Sequence, residues 1–385
     1  MSGEFWTGGL NEGFSLEAEV GFYDTTLRDG EQTVGVVLSP EEKLELARGL
    51  DTLGVERIEA GFPRVSDDDY RAVELISNAG LRAEIWGFSR AVVADVNALV
   101  DLGVTASVIE SPISDLKLDA LGVTRAQMLQ RIRDAIANAT EHGIRVAFFG
   151  VDSTRAQPDF FAEAYRTSVE AGAQEVVVVD TIGIATPEAA EFLVRQTREW
   201  IGDNVPVHWH GHNDFGLATA CSIAAVKGGA RWIQGTINGM GERAGNTNLA
   251  EVALALRGLY GVQTNLRLDR VRAFTERLRE LSGYELEPFK PVFGQNLFTR
   301  ESGAVAAQFH EPEAIEPYAS AVVGAERRIV LGKKSGIDSI RIKAQELGLE
   351  LSEDEQRRLL DEVKRRGTEK RGLVTDEEFL ELARG

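Results

Sequence analysis

Glu175-Val176-Val177-Val178-Val179-Asp180-Thr181-Ile182-Gly183-Ile184-Ala185-Thr186-Pro187-Glu188 carries a strand and the start of a helix in one short stretch. The apolar run 175–180 reads as β. Thr186-Pro187-Glu188 reads as a helix start, with a capping hydroxyl, proline at the first helical position and an acid in the first turn. Ser39-Pro40-Glu41-Glu42 repeats that signal. Working outward, the same alternation places strands at 19–25, 56–62, 82–88, 105–111, 144–151, 175–180, 205–210 and 231–237. Helical patterns lie between and after them, near 40–53, 67–79, 90–101, 124–142, 158–171, 187–201, 216–228 and 247–259. Gly54, Gly80, Gly103, Gly143, Gly172 and Gly229 stand just past helices, where a left-handed residue ends them. Eight such units over about 245 residues match an α/β fold of the (β/α)₈ TIM-barrel type, whose usual size is about 250 residues. The rival, a doubly wound open sheet, would not need so many regular units.

Past residue 262 the rhythm stops. Helical stretches at 268–282, 338–348, 352–366 and 375–384 surround a segment punctuated by Gly and Pro. The organisation expected is therefore a flexible tail or arm at 1–18, a barrel at 19–262 and a smaller, mainly helical C-terminal region at 263–385, with Phe5 and Trp6 suited to an arm. The charged face Gln356–Arg371 reads as an ordinary solvated helix surface. A chain of 385 residues with 43% apolar content can bury one large core or two smaller ones. No apolar run approaches the ~18 residues that a bilayer demands. The start of the chain lacks a basic segment followed by an apolar one, so a soluble, cytoplasmic protein is expected. A net charge of −19 argues against nonspecific nucleic-acid or membrane binding, and it leaves local Arg and Lys to hold any anionic substrate. Cys221 is the only cysteine, which excludes an intrachain disulfide and a Cys-based zinc site.

Chemistry in a barrel collects at the carboxyl ends of the strands, and three unusual segments fall there. The first strand leads into Asp24-Thr25-Thr26-Leu27-Arg28-Asp29-Gly30-Glu31-Gln32. Such a charged cluster behind an apolar strand is costly unless its groups have partners or a task. The seventh strand ends in His208-Trp209-His210-Gly211-His212-Asn213-Asp214, which holds three of the chain's 5 histidines. Alternate residues of a strand share a face, so these imidazoles point the same way, which is metal-ligand spacing. The eighth strand runs into Asn238-Gly239-Met240-Gly241-Glu242-Arg243-Ala244-Gly245-Asn246, whose glycines permit close backbone approach. Taken singly, each segment also reads as a tight loop with satisfied polar groups; their meeting at one end of one barrel favours an ion site with oxygen and nitrogen ligands.

At these three segments, and more loosely through Val330-Leu331-Gly332-Lys333-Lys334-Ser335-Gly336, the sequence resembles the 2-isopropylmalate synthase and homocitrate synthase family of metal-dependent barrel enzymes. The resemblance implies that Asp29, His210, His212 and Asn246 ligate one divalent ion, with His208 outside the ligand set. Such a donor set suits Zn, Mn or Mg. It also implies that Arg28, Gln32 and Thr181 help to hold a 2-oxo acid, that acetyl-CoA is the second substrate, and that the product is a 2-substituted malate. Glu242 and Arg243 read as supporting groups rather than reacting ones, and a homodimer is expected by the same resemblance.

Two departures stand out. Where the family carries a functional Glu after the fifth strand this chain has Val151, and where it carries an acid–base His in Ser-Gly-x-His it has Val305, with His310 nearby. The neighbouring Asp152 points to the other side of a strand. These losses bear on the acetyl-CoA half of the reaction and keep a second reading open, a metal-dependent lyase or aldolase acting without acetyl-CoA. A third is a catalytically silent binder of metal and 2-oxo acid. Ala147 stands where lysine-pathway homocitrate synthases place an Arg for the far carboxylate of 2-oxoglutarate, while Glu59-Ala60-Gly61-Phe62-Pro63 looks like the isopropylmalate synthase loop. Lys117 reads more readily as a surface lysine than as a pocket group. The long C-terminal domain through which many isopropylmalate synthases sense leucine is not expected here.

Overall fold

Eight parallel strands close on themselves in chain order in the computed structural model, which describes residues 3–384. They are β1 (Gly21–Asp24), β2 (Arg57–Glu59), β3 (Glu84–Arg90), β4 (Ala106–Pro112), β5 (Arg145–Val151), β6 (Glu175–Asp180), β7 (Val207–Gly211) and β8 (Trp232–Gly235). Closure is made by β1 against β8, with Gly21 opposite Trp232 and Asp24 opposite Gly235. Every strand predicted from the sequence is present, with ends that match or lie within three residues of the predicted ones. β6 is buried along its whole length, as a parallel strand with helices outside and a barrel interior inside must be. Alternation turns Val177 and Val179 inward, where they pack with Tyr23, Trp86, Phe88, Ala106, Val108, Ala147 and Phe149.

The helices begin where the caps foretell. Ser39 Oγ accepts the Glu42 N–H at 3.3 Å while the Glu42 carboxylate takes the Ser39 N–H at 2.7 Å, a reciprocal cap on the helix Pro40–Leu53. Thr186 Oγ1 accepts the Ala189 N–H at 3.2 Å ahead of Pro187–Ile201. Gly54 ends its helix at φ 81° and Gly229 its own at φ 99°, conformations that a Cβ would strain. Within the barrel unit, one α-helix has no counterpart in the sequence reading. Asp115–Leu121 lies between β4 and the helix Arg125–Glu141, and it is too short to show a period, though Ser114 caps it by accepting the Lys117 N–H.

The amino end of the barrel is plugged by charge rather than by oil. Arg57 of β2 reaches across to Glu175 of β6 with two hydrogen bonds of 2.6 and 2.9 Å, between the rings of Trp86 and Trp232 at 4.7 and 3.6 Å. His208 Nε2 donates to the same carboxylate at 2.6 Å. Buried charges need this density of partners.

The barrel unit runs from Asn11 to Glu285, past the residue at which the strand–helix rhythm stops. The reason is the helix Val271–Ser282: its Val271 and Leu278 are fully buried, and Thr275 Oγ1 donates to Asn238 Oδ1 at 2.9 Å. The other unit joins residues up to Leu10 with those from Leu286 onward. In it Leu331, Ile340, Leu359, Val363, Val374 and Phe379 form a core under the helices Ile337–Glu346, Glu353–Lys370 and Asp376–Arg384. Phe5 and Trp6 are tied into it, the Trp6 N–H donating to Pro317 O at 2.8 Å and Phe5 lying 6.2 Å from Tyr318. No helix among the described residues is long and apolar enough to cross a membrane.

Candidate metal centre

Three ligand-type atoms, from the end of β7 and from the distant loop after β1, converge above the barrel interior. β7 ends with His210 facing inward, and the β1 loop turns back at Asp29 because the Gly30 N–H donates to Thr25 O at 3.0 Å. The Asp24 carboxylate locks that turn by accepting the Thr26 N–H and hydroxyl at 2.8 and 2.9 Å, and burial pushes its carboxyl up to about 7. As a result Asp29 Oδ2 stands 3.2 Å from His210 Nε2 and 3.9 Å from His212 Nε2, and the two imidazole nitrogens are 3.4 Å apart. All three residues are buried.

The ring tautomer of His210 follows from its neighbour. Gln234 Oε1, 3.2 Å from His210 Nδ1, can only accept, so the proton sits on Nδ1 and the Nε2 lone pair faces Asp29 and His212. The Gln234 amide donates in turn to His208 Nδ1 at 3.1 Å, which sends the His208 proton to Glu175. Burial and the adjacent His210 depress the His212 imidazole to about 4, leaving it neutral near pH 7. Burial opposes ionisation of Asp29, but Arg28 and the two imidazoles hold its carboxyl well below the usual carboxylate range. Two lone-pair nitrogens and one carboxylate oxygen at such spacing repel or compete unless a cation lies among them. Ligands about 2.0–2.1 Å from a tetrahedral ion would stand about 3.3–3.4 Å apart.

Asn246 supplies an independent test of that fit. Antiparallel pairing of His212 with Asn246 brings the β8 loop alongside the end of β7. There the Asn246 amide N–H donates to Met240 O at 3.1 Å, while its Oδ1 is buried with no hydrogen-bond partner. An orphaned buried carbonyl oxygen beside three ligand-type groups suits a bound dication. Gly241, at φ 151°, makes room: a Cβ there would lie 2.2 Å from Asn246 Nδ2. Gly241→Ala should therefore weaken divalent-metal affinity about 10-fold or more, with the far-UV spectrum nearly unchanged and the melting midpoint lowered by the strained backbone. Calorimetric titration of metal into the apo-protein reads this out, and wild-type affinity would refute the role given to Asn246.

Arg28 stands beside the cluster. Glu59, wholly buried at the end of β2, takes its Nε, and Arg28 Nη1 lies 3.5 Å from Asp29. The guanidinium lies 4.2 Å from the Phe88 ring, and its Nη2 is buried without a partner. Tyr23 Oη donates to the other Glu59 oxygen at 2.9 Å. The sequence reading placed Glu59 only in a specificity loop; its position two residues before Gly61 gives no sign that it anchors Arg28. Thr181 is half-buried, and its hydroxyl accepts the Asp152 N–H at 2.7 Å, so its own proton is free to donate. Gln32 lies exposed in the short turn Gly30–Gln32, with no bond to the cluster. Arg243 pairs with Asp214 at 2.9 Å and caps Thr181 O at 2.7 Å, a supporting arrangement.

The HMGL-like family model matches residues 19–277, and a homocitrate synthase post-HMGL domain-like model matches residues 292–371. The chain belongs to the HMGL-like family. It is 42% identical to homocitrate synthase AksA of Methanopyrus kandleri over 371 residues, covering 96% of this chain and 93% of the relative. To 2-isopropylmalate synthase of Methanocaldococcus jannaschii it is 39% identical over 359 residues, covering 92% of this chain and 68% of that one. Homocitrate synthase 1 of Nostoc sp. is 38% identical over 364 residues, at 94% and 96% coverage. Among solved structures, HMG-CoA lyase from Brucella melitensis superposes with a TM-score of 0.62 at 20% identity, over 70% of this chain and 100% of that one, which shows the shared barrel.

In this HMGL-like chain the departures noted in the sequence have a visible setting. Val151 lines a cavity of about 490 Å³ at the carboxyl ends of β3, β4 and β5, together with Arg90, Glu110, Lys117 and Arg131. Lys117, read as a surface residue, stands in that wall because the short helix Asp115–Leu121 carries it there. Asp152, at φ 66°, has its carboxylate taken by Ser114 and Arg155. His310 is exposed and Val305 half-buried in the C-terminal unit.

Proposed function

We infer that this HMGL-like enzyme condenses acetyl-CoA with a 2-oxo acid, giving a 2-substituted malate and free CoA, as an acyltransferase of the kind used in amino-acid biosynthesis. What carries the reading is the convergence of Asp29, His210 and His212 beside the partnerless Asn246 Oδ1, in a chain about 40% identical over most of its length to proteins named as homocitrate and isopropylmalate synthases. In it, Asp29, His210, His212 and Asn246 hold one divalent ion, and their oxygen and nitrogen donors suit Zn, Mn or Mg. Such an ion supplies Lewis-acid polarisation of a bound ketone and carboxylate.

The protein's own groups do the rest. Arg28, fixed by Glu59 and resting on Phe88, presents the unpaired Nη2 to developing oxyanion charge without reorganising. Thr181, its hydroxyl oriented by the Asp152 N–H, donates to a substrate carboxylate, with Gln32 at the rim. The apolar walls Phe88, Phe149 and Val179 keep water from the reacting carbons.

The test is thiol release from acetyl-CoA across short, branched and dicarboxylic 2-oxo acids. Release that depends on one class of acid, is lost after chelation and returns with a divalent metal is the expected result. A 2-oxo acid formed from a hydroxy acid in the absence of CoA would instead establish the lyase reading.

A further inference from the structure

The geometry points to Glu110 as the carboxylate that takes the methyl proton of the acetyl thioester, standing in for the glutamate that Val151 replaces. This rests on the condensing activity inferred above.

Val151 cannot carry a proton, and its neighbour Asp152 is already held by Ser114 and Arg155. On the adjacent strand β4, Ala106 and Val108 face the barrel interior, so alternation turns Glu110 to the same side. The parallel register sets Pro112 opposite Val151 and Glu110 opposite Phe149, so Glu110 lies one inward step deeper than the valine. Both line the same cavity.

Glu110 is half-buried, and its carboxylate differs from the buried acids around the site. Asp24, Asp29, Glu59, Asp152 and Asp180 each accept hydrogen bonds or ion pairs from the protein. Among the described residues Glu110 has neither: only the more distant charges of Arg28, Arg90, Lys117 and Asp29 act on it. Lone pairs left unused at a cavity wall are available to a ligand. Burial raises its carboxyl above the ordinary value despite three cations nearby, which favours a base over a permanently ionised spectator.

In the step assigned to it, a Glu110 oxygen forms a bond to a methyl proton. The C–H pair moves into a carbon–carbon double bond, and the thioester carbonyl pair moves onto its oxygen. The carbon–carbon double-bond pair of the enolate then bonds to the ketone carbon of the 2-oxo acid as the enolate oxygen pair re-forms the thioester carbonyl; the ketone π pair goes to its oxygen, and that alkoxide recovers the proton from Glu110. Water cleaves the thioester, giving the carboxylic acid and the CoA thiol.

Glu110→Gln keeps shape and removes basicity. It should lower kcat for thiol release about 100-fold, with KM for the 2-oxo acid and metal content near wild type. Deuterium exchange into the methyl group of acetyl-CoA in D₂O, followed by mass spectrometry, should fall by a similar factor. Restored exchange in the double variant Glu110→Gln, Val151→Glu would support the role, because that change returns a carboxylate to the same wall. Wild-type exchange and kcat in a folded Glu110→Gln protein, or a change confined to KM, would overturn it. If the wild-type enzyme itself releases no thiol with any 2-oxo acid, the condensing activity falls; if only the variant result fails, that activity stands and this assignment alone is lost.

Discussion

Replacing His210 with alanine is expected to strip the centre of its metal and to lower condensation by more than about 10³-fold. Loss of an outer partner of a metal ligand already costs about 10–100-fold in affinity or activity, and a ligand itself should cost more. His210 Nε2 lies within 3.4 Å of both Asp29 Oδ2 and His212 Nε2, so its removal opens the middle of the cluster. The informative contrast is His208, on the same strand face two residues earlier. Its ring bridges Glu175 and Gln234, away from the cluster, so His208→Gln should retain metal. Metal content by elemental analysis after gel filtration, read beside thiol release, checks both. A His210→Ala protein with full metal and near-normal turnover would end the assignment.

Glu175→Gln should destabilise the barrel by about 3–5 kcal/mol, the usual cost of leaving one partner of a buried ion pair behind. Arg57 is 6% exposed and Glu175 4%. With the carboxylate neutralised, the charge partner left to Arg57 is Glu84 at 3.1 Å, whose side chain is 36% exposed, and the single amide oxygen has to serve both Arg57 and His208 where two carboxylate oxygens did. The pH dependence follows with a definite sign. Burial pushes the Glu175 carboxyl up, but the His208 hydrogen bond and Arg57 more than offset this and hold it at about 2. An unfolded Glu titrates near ~4.3, so the group stabilises the fold fully above that pH. This contribution is lost as pH falls from there through about 2. Urea unfolding of wild type and variant between neutral pH and pH 3 should show the largest gap at neutrality and a gap reduced to about half by pH 3. A difference below about 1 kcal/mol at pH 7 would mean that the charge layer is not needed for stability.

Much of this protein is written locally. Strand runs such as Val176–Val179, the caps at Ser39 and Thr186 and the terminating glycines each act within a few residues, which is why all eight β/α units are legible and accurately placed. His210 and His212 are legible for the same reason, since a period of two is a property of one strand. The short helix Asp115–Leu121 escaped because a stretch of that length offers no period to detect, and with it went the placement of Lys117. The C-terminal limit of the barrel unit escaped because the helix Val271–Ser282 adds no strand, yet buries its apolar side within that unit.

By itself, then, the chain determined its alternating elements, its closure into a barrel and the residue types gathered at one end. Tertiary structure alone decided which of those groups meet. Glu59 anchoring Arg28, Arg57 bonded to a carboxylate 118 residues away, and Glu110 sharing a wall with Val151 all depend on the stagger and closure of the strands. Hydrophobic period and capping set each element's form and its inward face, but distances across the barrel emerge only when eight such faces close around one interior.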